Sequence, residues 1–169
     1  MAKGEDPEAI AIYQALMDEV DQAFMARDPE RHAQCVYVPH HIRSRQEVIN
    51  IRTREEMRAA FFRYVEFTEG LGASLHKRKV ITARFRNRDA IEGTHEVNTM
   101  DADGTHVTPP TRTKIMIMRM QGKWQICGSD NSTEQTTGVS AHLRDLTKPN
   151  PVPQGRTRRT SRNMTGETS

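Results

Sequence analysis

The hydrophobic period of this chain changes abruptly at Gly70–Gly72. Before the glycines, apolar residues recur every three or four positions. After them, Val, Ile, Thr and Phe crowd into extended runs separated by short polar turns. Helical spacing confined to one part of a chain and strand character to the other predicts a segregated α+β domain rather than a doubly wound parallel sheet. The 169 residues suffice for one such domain and a tail.

Local signals mark the elements. Asp6-Pro7 is a helix start, a capping carboxylate followed by proline at the first helical position. Ile10, Tyr13, Leu16, Met17, Val20 and Phe24 then keep one face apolar to about Arg27. Asp28-Pro29 repeats the signal for a short helix to about Cys35, and extended segments are expected at Val36–Pro39 and Arg45–Ile51. Thr53-Arg-Glu-Glu56 is a capping box for a third helix, whose buried stripe is Met57, Phe61, Tyr64 and Val65. Four antiparallel strands are predicted at Leu75–Arg86, Ala90–Met100, Thr111–Met120 and Lys123–Asp130, with turns at Asn87-Arg-Asp89, Asp101-Ala-Asp-Gly104 and Gln121-Gly122.

Composition removes several classes of function. No apolar run approaches the ~20 residues that cross a bilayer, and Met1 to Glu8 carries no apolar stretch of a secretory signal. A soluble, cytoplasmic protein without a membrane partner is expected. Cys35 and Cys127 lie far apart with no CxxC, which excludes a disulfide scaffold and a cysteine-based zinc finger. The net charge of +3 belongs to the end of the chain: from Lys148 onward five basic residues face one acid, leaving residues 1–147 at about −1. That Pro-, Ser-, Thr- and Arg-rich segment cannot offset its ordering entropy and is expected to be disordered. No aromatic residue interleaves its arginines, which argues against nucleic acid as a partner. The expected organisation is a flexible start at 1–6, one domain at 7–147 and a disordered basic tail at 148–169.

The order of these elements, with the step ARDPERHAQCVYVP, the helix opening IRTREEMRAAFF and the late strand pair MIMRMQGKWQICGSDNS, resembles the nuclear-transport-factor-2-like superfamily in its branch of SnoaL-type polyketide cyclases. The match covers roughly residues 7–135. The resemblance implies a curved antiparallel sheet wrapped around N-terminal helices into a cone, with a pocket at the open end. It also implies frequent dimers and diverse activities, so fold does not decide function.

Ketosteroid isomerases of that superfamily carry an aspartate base before the proline that follows the second helix. Here Val38 stands before Pro39, and no acid occurs within Ile115–Met118 where their second acid falls. A valine cannot move a proton, so the isomerase mechanism is not supported. SnoaL-type cyclases pair a histidine and an aspartate on the sheet. Strand alternation places Ile91, Gly93, His95 and Val97 on one face, and Trp124, Ile126, Gly128 and Asp130 on one face of the last strand. If both faces are concave, His95 and Asp130 form an acid–base pair inside the cone. The alternative is a satisfied sheet histidine and a turn aspartate. Tyr13, Met17, His41 and Trp124 are the further expected pocket residues.

Other constellations carry less. His40 and His41 are adjacent on a strand and point to opposite faces, so they cannot share one ion, and no metal or cofactor is expected. No P-loop, dinucleotide glycine fingerprint or G-x-S-x-G elbow occurs. Lys77, Arg78 and Lys79 with Arg84, Arg86 and Arg88 read as a solvated sheet rim. In Ile115–Met120 the isoleucines take one face and Met116, Met118 and Met120 the other, so a homodimer through the outer face of the sheet is expected. The functional expectation is a pocket for a small, largely apolar molecule, with cofactor-independent lyase, isomerase or cyclase chemistry through His95 and Asp130. Set against it are a non-catalytic binding or assembly module and a small partner subunit of an oxygenase.

Overall fold

The computed structural model describes residues 5–43 and 48–130. The expectations for the terminal tail and for residues 131–147 lie outside that range.

The helices begin where the capping chemistry puts them. Helix α1 spans Pro7–Met25, and Asp6 accepts hydrogen bonds from the Glu8 and Ala9 backbone N–H groups. Helix α2, Pro29–Ala33, is capped by Asp28 in the same way. Helix α3, Arg54–Gly70, opens on Thr53, whose hydroxyl accepts from the Glu56 N–H at 3.1 Å while Glu56 reaches back to the Arg52 N–H. The bonds to the capping side chains satisfy backbone donors that the first helical turn leaves without a partner, and the Glu56 bond ties down the N–H of Arg52 just before α3.

Six strands follow or separate the helices: β1 Val36–Arg43, β2 Val48–Ile51, β3 Leu75–Asn87, β4 Ala90–Met100, β5 Thr111–Met120 and β6 Lys123–Asp130. They form one curved, unclosed sheet in the order β2-β1-β6-β5-β4-β3. The four late strands are antiparallel as expected; β1 runs parallel to β6 and carries β2 at the edge. The concave face closes over α1, and the core joins Tyr13, Met17 and Phe24 of α1 to Met57, Phe61 and Val65 of α3 and to Ala83, Ile91 and Ile117 of the sheet. Fully burying such side chains contributes roughly 1.5–3 kcal/mol each.

Two irregularities decide which side chains face inward. In β3, Val80 pairs with His95 but Thr82 pairs with Thr94, so Ile81 is an extra residue. In β6, Ile126 pairs with Ile117 but Gly128 pairs with Met116, so Cys127 is the extra residue. A bulge of this kind reverses the alternation beyond it. Gly93 marks a close approach: a Cβ there would sit 2.5 Å from Tyr13 Cε2 and 2.7 Å from the Thr82 carbonyl oxygen.

On the outer face, Met116 and Met118 stand among charged neighbours such as Lys114, Glu92 and Arg84, and Met118 is 37% exposed. No helix among the described residues is long and apolar enough to cross a membrane.

Candidate functional site

Between the concave face and the helices lies a cavity of about 180 Å³. An engineered protein cavity of roughly 150 Å³ holds benzene, so this one accommodates a molecule of one or two rings. Helix α1 contributes Met17, Val20 and Phe24 to its wall, and α3 contributes Met57, Ala60, Phe61 and Tyr64. These are the inward stripes of two amphipathic helices. Phe24 is the centre of the aromatic side: it stacks on Phe61 with centroids 5.0 Å apart, and meets Tyr64 at 4.7 Å and His32 at 5.0 Å.

The polar side of the wall comes from His32 of α2, His40 of β1, Arg78 of β3, His95 of β4 and Ser129 of β6. Arg78 is the one charged member among the described residues. Its guanidinium forms an ion pair with Asp21 of α1, and the other Asp21 oxygen accepts the Arg78 backbone N–H at 2.6 Å. The guanidinium also lies 5.0 Å from the Phe24 ring centroid. Gln14 holds the same strand from α1, donating to the Arg78 carbonyl at 2.8 Å and accepting from the Val80 N–H at 2.9 Å.

Every buried histidine here is held neutral. Burial, assisted by the Arg78 charge, pushes His95 down to about 3 and His76 to about 4. Burial, then Arg78 and His40, lowers His32 to about 3, and burial with His41 lowers His40 to about 4. His95 Nδ1 lies 2.6 Å from the hydroxyl of Tyr13, whose own pKa is raised strongly by burial. His40 Nε2 lies 3.3 Å from Ser129 Oγ.

The sequence-predicted residues divide in two groups. His95 and Met17 line the cavity, and Tyr13 stands behind His95 as its hydrogen-bond partner. Asp130 does not meet His95. The extra residue at Cys127 turns Asp130 to the outer face, paired in register with Lys114, while Ser129 takes the inward position expected for its neighbour. Asp130 instead borders an open outer groove with His41, Arg43, Lys114 and Glu92. His41 is likewise exposed and bonded to Asn50; its neighbour His40 is the one that enters the cavity. Trp124 packs on the core near Phe85 and under Arg119, and does not line the cavity.

Arg78 is not part of a solvated rim, because alternation along β3 sends it inward between the outward Lys77 and Lys79. Arg78, His32, His40 and Ser129 are among the wall residues that the sequence reading missed. Asp21 was the available signal, since a carboxylate on the stripe of Tyr13, Met17 and Phe24 requires a buried cation. Among the described residues no three His, Cys, Asp or Glu side chains gather to hold a metal ion.

Comparison with protein-family models and with curated proteins finds no match. Solved structures do match. A cystatin-like protein of unknown function from Nostoc punctiforme has a TM-score of 0.59 at 11% identity, over 76% of this chain and 93% of its own. An NTF-2-like protein of unknown function from Shewanella oneidensis has a TM-score of 0.58 at 13% identity, over 72% of this chain and 97% of its own. An NTF2-like protein with a cystatin-like fold from Novosphingobium aromaticivorans has a TM-score of 0.58 at 12% identity, over 83% and 90%. Structural similarity at identities this low shows the fold and leaves the activity open.

Proposed function

We propose that this chain, whose fold is the cystatin-like, nuclear-transport-factor-2-like one, is a pocket protein that binds a small, largely apolar ring molecule in the cavity between α1, α3 and the sheet. The observation that carries the reading is the wall itself. Two helices and the concave sheet face converge on about 180 Å³ with Phe24, Phe61, Met17 and Met57 around it, and a few polar side chains, His32, His40, Arg78, His95 and Ser129, are set among them. Pockets of this composition gain affinity from apolar contact and take orientation from a few polar groups.

Catalysis is the second reading, and the Tyr13–His95 hydrogen bond is what favours it. It cannot use the expected aspartate, which faces outward, and His95 held near 3 is a weak base at neutral pH. Binding is therefore the reading adopted. It extends to a cytoplasmic homodimer joined through the outer sheet face, supported by the exposed Met118.

Thermal unfolding with toluene, indole and naphthalene tests the pocket. At least one should raise Tm saturably, and Ala60→Phe, which places a ring in the cavity wall, should abolish the rise. A rise that survives Ala60→Phe would move the binding site elsewhere, and no rise with any of the three would remove the reading.

A further inference from the structure

Tyr13 is fully buried, and its hydroxyl meets one hydrogen-bond partner among the described residues, Nδ1 of His95. A buried O–H without an acceptor loses its full hydration with nothing in return. The phenol must therefore donate, and Nδ1 must offer its lone pair. A neutral imidazole that accepts at one nitrogen carries its proton on the other. The proton of His95 thus sits on Nε2, on the far side of the ring from Tyr13. That atom has no protein partner among the described residues, and His95 is in the cavity wall.

We propose that His95 is a fixed hydrogen-bond donor, locked in the Nε2–H form by Tyr13, and that the cavity takes a neutral ring compound bearing a carbonyl acceptor. The proposal rests on the pocket reading above and names the class of molecule. Charge supports neutrality: the Arg78 guanidinium is already answered by Asp21, so among the described residues the wall offers a carboxylate no uncompensated cation. Space supports a ring, with the stacked Phe24–Phe61 pair in the wall of the same cavity. Tyr13 is a positioning residue in this account, since it acts through His95. Gly93 belongs to the same device, because any side chain there would displace the Tyr13 ring.

Nitrogen-15 NMR of histidine-labelled protein reads the first half without any ligand. His95 should show a protonated Nε2 and an unprotonated Nδ1 at neutral pH, and Tyr13→Phe should mix the two forms. A protonated Nδ1 in the wild type overturns the proposal. The second half uses 2-tetralone and its hydrocarbon counterpart tetralin as probes. The ketone should bind about tenfold more tightly, as expected for one hydrogen bond to a buried donor. Its carbonyl infrared stretch should move to lower frequency when bound, and Tyr13→Phe should shrink both effects while tetralin affinity stays within about twofold. Equal affinity for the two probes, or an unmoved stretch, overturns the donor role and leaves the pocket standing. Preference for a carboxylate of the same size would mean that Arg78 does the recognising, which also overturns it. Binding of neither probe overturns the pocket reading and this proposal together.

Discussion

Replacing Asp21 by alanine should cost this domain a large share of its stability. The Asp21 and Arg78 side chains are only 6% and 11% exposed, so the substitution leaves a guanidinium out of water without its counter-charge. It also removes the acceptor of the Arg78 N–H. Breaking a buried pair by removing one partner costs about 3–5 kcal/mol, against a total of about 5–15 kcal/mol for a typical domain. At about 2–4 °C per kcal/mol for a chain of this size, Tm should fall by roughly 6–20 °C. Gln14 still fastens β3 to α1 at two backbone groups, so the loss reports the charge more than lost docking. Equilibrium urea unfolding reads it as a lower midpoint at unchanged slope. The double variant Asp21→Leu with Arg78→Met, which removes both charges, should recover most of the loss. A cost below about 1 kcal/mol for Asp21→Ala is what a solvated pair gives, and would refute the assignment of Arg78 to the cavity wall.

Gly93→Ala should destabilise by about 1–3 kcal/mol as an overpacked site, and should disturb the His95 nitrogen resonances because the added carbon meets Tyr13; unchanged stability and spectra would contradict the close approach. His32, His40, His76 and His95 titrate at about 3, 4, 4 and 3 in the fold, against an ordinary 6.5. The unfolded chain thus takes up protons that the fold refuses, so stability is complete above about pH 6.5 and drains as pH falls toward 4, by up to about 1.4 kcal/mol per pH unit for each histidine. Circular dichroism should place acid unfolding between about pH 4 and 6, and a protein still folded at pH 3 would show that these imidazoles accept protons in place. Light scattering should give about twice 19.3 kDa, with Met118→Glu monomeric or insoluble; a wild-type monomer would end the dimer proposal.

The parts of the fold written in local chemistry were legible. Asp6-Pro7, Asp28-Pro29 and Thr53 are caps because their side chains reach backbone donors a few residues away, and the helices begin there. The inward face of β4 was also legible, because its alternation runs unbroken through Ile91, Gly93 and His95. What failed was alternation carried across an interruption. The extra residue at Cys127 is a backbone event with no obligatory residue type, and it sent Asp130 outward. Alternation along β1 through Val36, Val38, His40 and Ile42 puts His40 rather than His41 inward, a signal the reading of the adjacent histidines left unused. Arg78 was hidden by its neighbours, since Lys77-Arg78-Lys79 reads as a solvated run although a strand turns every second residue inward.

Methyl NMR of methionine-labelled protein tests the central claim most directly. Met17 and Met57 line the cavity, whereas Met116 and Met118 lie on the outer face. Titration with 2-tetralone should shift the Met17 and Met57 methyl signals together along one saturable curve, because an aromatic ring seated between α1 and α3 lies against both. Met116 and Met118 should stay fixed. Shifts confined to the outer methionines, or none at any methionine while the compound binds, would contradict the account.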